Sequence, residues 1–249
     1  MGEVRVGIGG WNFAPWRGVF YPPGLKQADE LEFASRKVSA IEINATFYRT
    51  QSAASFRRWR EATPDDFLFT LKGPRAATHL RDLAEAPRAI DRFLGSGLLE
   101  LGAKLGPLLW QFPPFRKFEH DAMARFLDAL PAERDGTRLR HVVEAPHASF
   151  ADPGFARLLA ERGAARALVE SAKQALIEDA AAPFVYARLE RSAEDVPTGY
   201  APAALDGWAA KARAWAGERD VFLFFISGAK VRNPAAAQAL LERLRASAG

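Results

Sequence analysis

The sequence predicts a closed (β/α)8 TIM-type barrel, a single domain over residues 1–249, and three observations carry that expectation. Eight apolar segments of strand length recur along the chain, helix-patterned segments separate them, and the 249 residues match the ~250 typical of eight such units. The strand segments also lack the polar alternation of a half-exposed sheet, as expected of parallel strands covered on both faces. The rival is an open doubly wound sheet, which normally follows its first strand with a Gly-rich phosphate loop that opens a helix. Here Gly7-Ile8-Gly9-Gly10-Trp11-Asn12 breaks that fingerprint at its last position and runs on into a loop.

The strands are expected at 4–10, 40–44, 67–73, 105–112, 140–146, 166–171, 184–190 and 221–227. Helical spacing of apolar residues is found at 29–38, 52–62, 84–99, 118–130, 152–162, 203–216 and 235–246. The connection 172–182 holds at most a short helix. Start and stop signals agree with this count. Asp152 with Pro153 opens one helix and Gly163 follows its end, and Asn233-Pro234 opens the last.

Composition removes several kinds of chemistry. The chain has no cysteine, which excludes disulfide frameworks, thiolate metal sites, iron–sulfur clusters and cysteine nucleophiles. Its four histidines, His79, His120, His141 and His147, are scattered, so an imidazole-rich metal site is not expected and no metal ligand is assigned. No secretory leader or apolar run of membrane-spanning length is found, so a cytoplasmic protein without membrane contact is expected. Basic residues outnumber acidic ones 34 to 30, for a net charge of +4 and an isoelectric point near 9.5. The densest basic group, Arg57, Arg58 and Arg60 beside Glu61, reads as a solvated helix face rather than a nucleic-acid stripe.

In a barrel of this class the chemistry collects where strands run out into the βα loops. Side chains two apart on a strand share a face, which groups Glu42 with Asn44, Thr70 with Lys72, and Tyr186 with Arg188 and Glu190. Glu42, between Ile41 and Ile43, needs a cationic partner such as Arg188 or Lys72 if it is buried. Glu144 ends its strand immediately before a turn, a frequent position for a general base. His147, just beyond, is a candidate proton carrier. Lys72 precedes Gly73-Pro74-Arg75 and suits a phosphate or carboxylate. Tyr48 and Arg49 give the second loop a stacking surface and a cation. Phosphate-loop, HExxH, GxSxG and EF-hand strings are absent, which leaves acid–base or electrostatic chemistry built from Glu, Lys, Arg and His.

Five strings carry a family resemblance: Val6-Gly7-Ile8-Gly9-Gly10-Trp11, Trp16-Arg17-Gly18-Val19-Phe20-Tyr21-Pro22, Glu42-Ile43-Asn44-Ala45-Thr46-Phe47-Tyr48-Arg49, Lys72-Gly73-Pro74-Arg75 with His79, and Lys104-Leu105-Gly106-Pro107-Leu108-Leu109-Trp110-Gln111-Phe112-Pro113-Pro114. Together they resemble the YecE-like family, catalogued as domain of unknown function 72. The resemblance implies a barrel related to the (β/α)8 fold and supplies no activity. Departures lie in the C-terminal half. Where the family usually reads Glu-x-Arg-His-x-Ser-Trp, this chain has Glu144-Ala145-Pro146-His147-Ala148-Ser149-Phe150. The family's Tyr-x-Arg-Leu-His-Gly is Tyr186-Ala187-Arg188-Leu189-Glu190-Arg191, and its Asn-rich end of the last strand is Ile226-Ser227-Gly228.

These readings lead to one expectation and two alternatives. The expectation is a hydrolase- or lyase-type enzyme on an anionic, phosphate- or sugar-containing small molecule. Glu144, Lys72 and His147 would carry the chemistry, and Trp11, Glu42, Asn44, Tyr48, Arg49, His79, Gln111 and Arg188 would hold the ligand. The alternatives are a nucleic-acid binding or processing protein, favoured by the basic isoelectric point, and a non-catalytic ligand-binding barrel, allowed by the three departures. No cofactor is indicated.

Overall fold

A computed structural model describes residues 2–172, 176–179 and 181–246. Eight parallel strands close into one barrel: β1 (Val4–Gly9), β2 (Ala40–Ile43), β3 (Leu68–Lys72), β4 (Leu105–Gln111), β5 (His141–Glu144), β6 (Ala165–Glu170), β7 (Val185–Leu189) and β8 (Val221–Phe225). Each strand pairs with its sequence neighbours, and β1 pairs with β8 from Val4↔Val221 to Ile8↔Phe225 to shut the ring. The expected barrel is therefore present, with seven of the eight strands inside the spans read from the sequence and β6 starting one residue early, at Ala165.

Two cores follow from the two-residue period of the strands. Ala40, Leu109, Val142, Ala167, Tyr186 and Phe224 fill the lumen, while alternate residues such as Ile41, Phe69, Leu108, Trp110 and Leu223 pack outward under the helices. Gly7 faces the lumen where Phe224 fills the space. A Cβ there would lie 2.2 Å from the Ala40 carbonyl oxygen and 2.9 Å from the Phe224 ring, so only glycine fits. Between β3 and β4 the register shifts by one residue, from Phe69↔Leu105 to Leu71↔Leu108. The extra residue falls at Gly106-Pro107, where proline cannot donate to the ladder. This bulge turns Gln111 toward the lumen and Trp110 outward.

The helices are α1 (Glu30–Ser35), α2 (Ala45–Tyr48), α3 (Ala53–Glu61), α4 (Arg75–Thr78), α5 (Ala86–Leu94), α6 (His120–Asp128), α7 (Pro153–Glu161), α8 (Pro202–Ala216) and α9 (Asn233–Ala246). Local chemistry sets their ends. Ser52 Oγ accepts from Ser55 N at the start of α3, and Asp152 Oδ1 accepts from Gly154 N at the start of α7, each satisfying a donor the helix leaves free. Gly163, at φ 62°, terminates α7.

Three readings are corrected. The helix expected over 84–99 is interrupted: α5 stops at Leu94, Gly97 turns left-handed at φ 95°, and a 3₁₀ segment Leu98–Lys104 leads into β4. The second and third βα loops, read as irregular, each open with a one-turn helix, α2 and α4. A small hairpin, Glu133–Arg134 with Thr137–Arg138, precedes β5. Its signal was the Asp135-Gly136 pair, both at positive φ, which is the turn chemistry a two-residue hairpin requires. In the connection 172–182, residues 173–175 and 180 lie outside the described residues, and 176–179 form no helix.

Candidate active site at the barrel mouth

The upper lumen holds a chain of buried polar side chains that joins five of the eight strands. Arg188, on β7, is its centre. Its Nε and Nη2 donate to the two oxygens of Glu42 on β2, each at 3.2 Å, and its Nη1 donates to Glu144 Oε2 on β5 at 2.5 Å. Glu190, at the end of β7 and half-buried, stands 3.3 Å from the same Nη1. Beneath, Tyr186 OH donates to Glu42 Oε2 at 2.7 Å and lies 3.0 Å from Thr70 Oγ1 on β3. At the other end Gln111 Nε2 on β4 donates to Glu144 Oε1 at 2.7 Å.

The sequence places these groups here because each follows an apolar strand at a lumen-facing position, where water is scarce and every charge must find a partner. Glu42 is fully buried, and the Arg188 side chain is 4% exposed. Burial works to lower the Arg188 pKa, but the adjoining Glu144 and Glu42 more than offset this and raise it. Burial, with Glu42 next to it, pushes the Tyr186 phenol well up.

Lys72 is the exception. It is 7% exposed, its Nζ lies 4.3 Å from the centre of the Phe47 ring, and among the described residues that ammonium makes no hydrogen bond and no ion pair. Burial pushes its pKa down and Arg188 pushes the same way, while Glu42, Glu144 and Glu190 offset part of the shift. An amine with a depressed pKa and no acceptor, at the end of a barrel strand, is suited to receive an anionic group and to exchange a proton with it. Asn44 lies above Glu42 at the same mouth, its Nδ2 3.4 Å from where a Gly9 Cβ would stand, and it too makes no side-chain hydrogen bond among the described residues.

The structure brings together Glu42, Asn44, Lys72, Gln111, Glu144 and Arg188 of the expected residues, and it separates the others. Trp11 packs edge-on against Trp59 at 5.2 Å and Phe69 at 6.5 Å, on the outward face of β3. It is a packing residue because the chain bends out of the lumen at Gly10, φ 75°. His147 caps the 3₁₀ turn Ala148–Ala151. Its Nδ1 accepts from Ser149 N at 3.1 Å and meets Ser149 Oγ at 2.8 Å, so the ring proton sits on Nε2 and the residue serves the loop. His79 ends α4, with Nδ1 3.0 Å from Thr78 Oγ1 and its ring 5.3 Å from Phe47. Burial lowers its pKa, helped by Arg75, Lys72 and Arg116. Tyr48 and Arg49 line a cleft between α2 and α5 and take no part in the Arg188 network. Thr70 and Tyr186, which their two-residue spacing already put on one face with Lys72 and Arg188, join the network although neither was expected as a site residue. Among the described residues no three His, Asp or Glu side chains converge as a metal-binding set, and the carboxylates that do converge close on Arg188.

The family model described as a protein of unknown function, DUF72, matches residues 5–249. The chain belongs to the DUF72 family. It is similar to the UPF0759 protein YecE of Escherichia coli K12, at 28% identity over 174 residues, which is 68% of this chain and 59% of that protein. The chain thus spans about three fifths of the length of that curated relative. Two solved DUF72 family structures share the fold. One from Thermotoga maritima has 23% identity, a TM-score of 0.76 and coverage of 99% of this chain and 100% of its own. One from Enterococcus faecalis has 16% identity, a TM-score of 0.76 and coverage of 98% and 96%. Among the described residues of this DUF72 barrel, no helix is long and apolar enough to cross a membrane.

Proposed function

We propose that this DUF72 barrel is an enzyme acting on an anionic, phosphate- or sugar-containing small molecule at the C-terminal mouth, with Lys72 as its acid–base group. The observation that carries the reading is the buried Lys72 ammonium, which has no acceptor among the described residues although three carboxylates lie close by. The carboxylates are held by Arg188 and Gln111, so the substrate anion meets Lys72 without displacing an ion pair.

This assignment moves roles within the expected set. Arg188 is committed to Glu42 and Glu144, so it frames the site instead of holding the ligand. Glu144 has one oxygen on Arg188 and the other on Gln111, and His147 is committed to its loop, so neither is free to activate water. Proton transfer through Lys72 fits a lyase-type elimination or addition better than hydrolysis. Asn44 and the side-chain carbonyl oxygen of Gln111, which makes no hydrogen bond among the described residues, would orient the substrate.

Thermal unfolding of wild type and Lys72→Met against sugar phosphates, sugar acids and inorganic phosphate tests the reading. A ligand at a hundredfold excess over Kd stabilises the native state by about 2.7 kcal/mol. The methylene stem of methionine can still pack on Phe47, so the variant is expected to fold and to lose the shift. Equal shifts in both proteins, or no shift from any compound, would defeat the assignment.

A further inference from the structure

Around the loops that follow β2 and β3, the surface carries cations that have no carboxylate partner among the described residues. A cleft of about 780 Å³ between α2 and α5 is lined by Arg49, Arg75, Arg88 and Arg92, with Glu85 as its one acidic residue. A second cleft of about 400 Å³ shares Leu80 with it and is lined by Arg81, Arg116 and Lys117 against Glu119. Among the described residues none of these seven cations has a carboxylate within 4.0 Å. Several arginines elsewhere on the surface are paired, among them Arg57 with Glu100 at 2.9 Å, Arg134 with Asp91 at 2.8 Å, Arg162 with Asp128 at 2.8 Å and Arg243 with Asp206 at 2.6 Å. Arg116 donates instead to the backbone carbonyls of Leu80 and Arg81, which fixes the wall between the clefts and leaves its charge uncompensated.

Two exposed aromatic rings stand beside these cations, Tyr48 meeting Phe47 edge-on at 5.0 Å. Tyr48 is 76% exposed and lines the first cleft, and Phe115 is 75% exposed and lines the second. Seven like charges crowded along two adjoining clefts repel one another unless a polyanion lies among them. Unpaired cations that track a backbone, with exposed rings on which bases stack, are the two components of a sequence-tolerant single-strand site.

We infer that these adjoining clefts bind single-stranded nucleic acid, with phosphates on the arginines and bases against Tyr48 and Phe115. A polyphosphate would use the cations and leave the rings idle. A bilayer would meet the concave floor of neither cleft. Phe47 is a wall common to the first cleft and to Lys72, but the cations and rings invoked here are other groups, so the inference does not depend on the proposed activity.

The test is fluorescence anisotropy of a labelled 20-nucleotide oligothymidylate as salt is raised. Seven phosphate contacts, one for each cation of the two clefts, give a slope of log affinity on log salt of about −5, so affinity falls about 900-fold from 50 to 200 mM salt. Replacing Arg75, Arg88 and Arg92 together by Gln should flatten the slope by about 2. Tyr48→Ala should weaken binding about fivefold or more without changing the slope. The pair Arg57→Gln and Arg243→Gln, at paired arginines, should leave both quantities unchanged. No binding at 50 mM salt, or an unaltered slope in the triple variant, would overturn the inference. So would binding to anionic vesicles but not to the oligonucleotide, or equal competition by polyphosphate with Tyr48→Ala silent.

Discussion

Replacing Arg188 by Met removes the cation on which two buried carboxylates rest, and the structure sets the scale of the loss. Glu42 is fully buried and takes both of its 3.2 Å contacts from this guanidinium, and Glu144, 6% exposed at its side chain, takes one at 2.5 Å. At an effective dielectric near 20, a unit-charge contact at 3.2 Å is worth about 5 kcal/mol before desolvation is subtracted. Methionine roughly matches the stem of arginine but leaves the carboxylates without compensation, a situation that costs about 3–5 kcal/mol for a single pair. With two carboxylates stranded, a loss near 5 kcal/mol is expected, against a total stability of about 5–15 kcal/mol for a domain. Glu42→Gln keeps an acceptor for Tyr186 and leaves Arg188 to Glu144 and Glu190, so about 1–3 kcal/mol is expected. The double variant should therefore be more stable than the sum of the two losses, with a coupling of at least about 2 kcal/mol. Urea unfolding at pH 7.5 measures all three. An Arg188→Met loss below about 1 kcal/mol, or simple additivity in the double variant, would refute the claim that this ion network holds the upper barrel.

Other consequences follow from single residues. His141 accepts from Trp110 Nε1 at 3.1 Å through Nδ1 and faces the Pro131 carbonyl at 2.8 Å with Nε2, and burial lowers its pKa, only partly offset by the bond to Pro131. The folded state therefore keeps it neutral while the unfolded chain takes a proton near pH 6.5. Stability should fall as pH drops from about 7 to 5, by up to about 1.4 kcal/mol per pH unit for this group, and a His141→Gln titration should lack that slope. Gly7→Ala drives a methyl into the Ala40 carbonyl and the Phe224 ring, so a loss of about 1–3 kcal/mol is expected; a neutral result in urea unfolding would show that β1 can move. Asp152→Ala removes the cap of α7 and should cost about 1 kcal/mol, with Asp152→Asn nearly silent.

The barrel was legible because its signals are local and repeated. Buried parallel strands are apolar along their whole length, and caps such as Asp152-Pro153 mark helix starts within a residue or two. What escaped had weak or competing signals. The one-turn helices α2 and α4 are too short for periodicity to register. The 84–99 helix broke at Gly97, where a left-handed turn outweighs an otherwise continuous apolar pattern. At the site, the two-residue period put Glu42 with Asn44, Thr70 with Lys72, and Tyr186 with Arg188 on shared faces, which the barrel turns toward its lumen. Which carboxylate would meet which cation depends on the stagger of the closed barrel, and no single strand encodes that. For the same reason Lys72, equally able on paper to pair with Glu42 or Glu144, emerges as the cation left over. Trp11 and His147 were misplaced because a residue just past a strand end can turn either way. Gly10 sends Trp11 outward, and Ser149 draws His147 into a cap.

The most direct test of the account is the pKa of Lys72, read from its ¹³Cε chemical shift across a pH titration and assigned by the signal missing in Lys72→Met. The account expects a midpoint below the ordinary lysine value of about 10.4, moving upward when inorganic phosphate is added. A midpoint at or above that value, indifferent to phosphate, would mean that the carboxylates of the mouth already satisfy Lys72 and that the proposed anion site is closed.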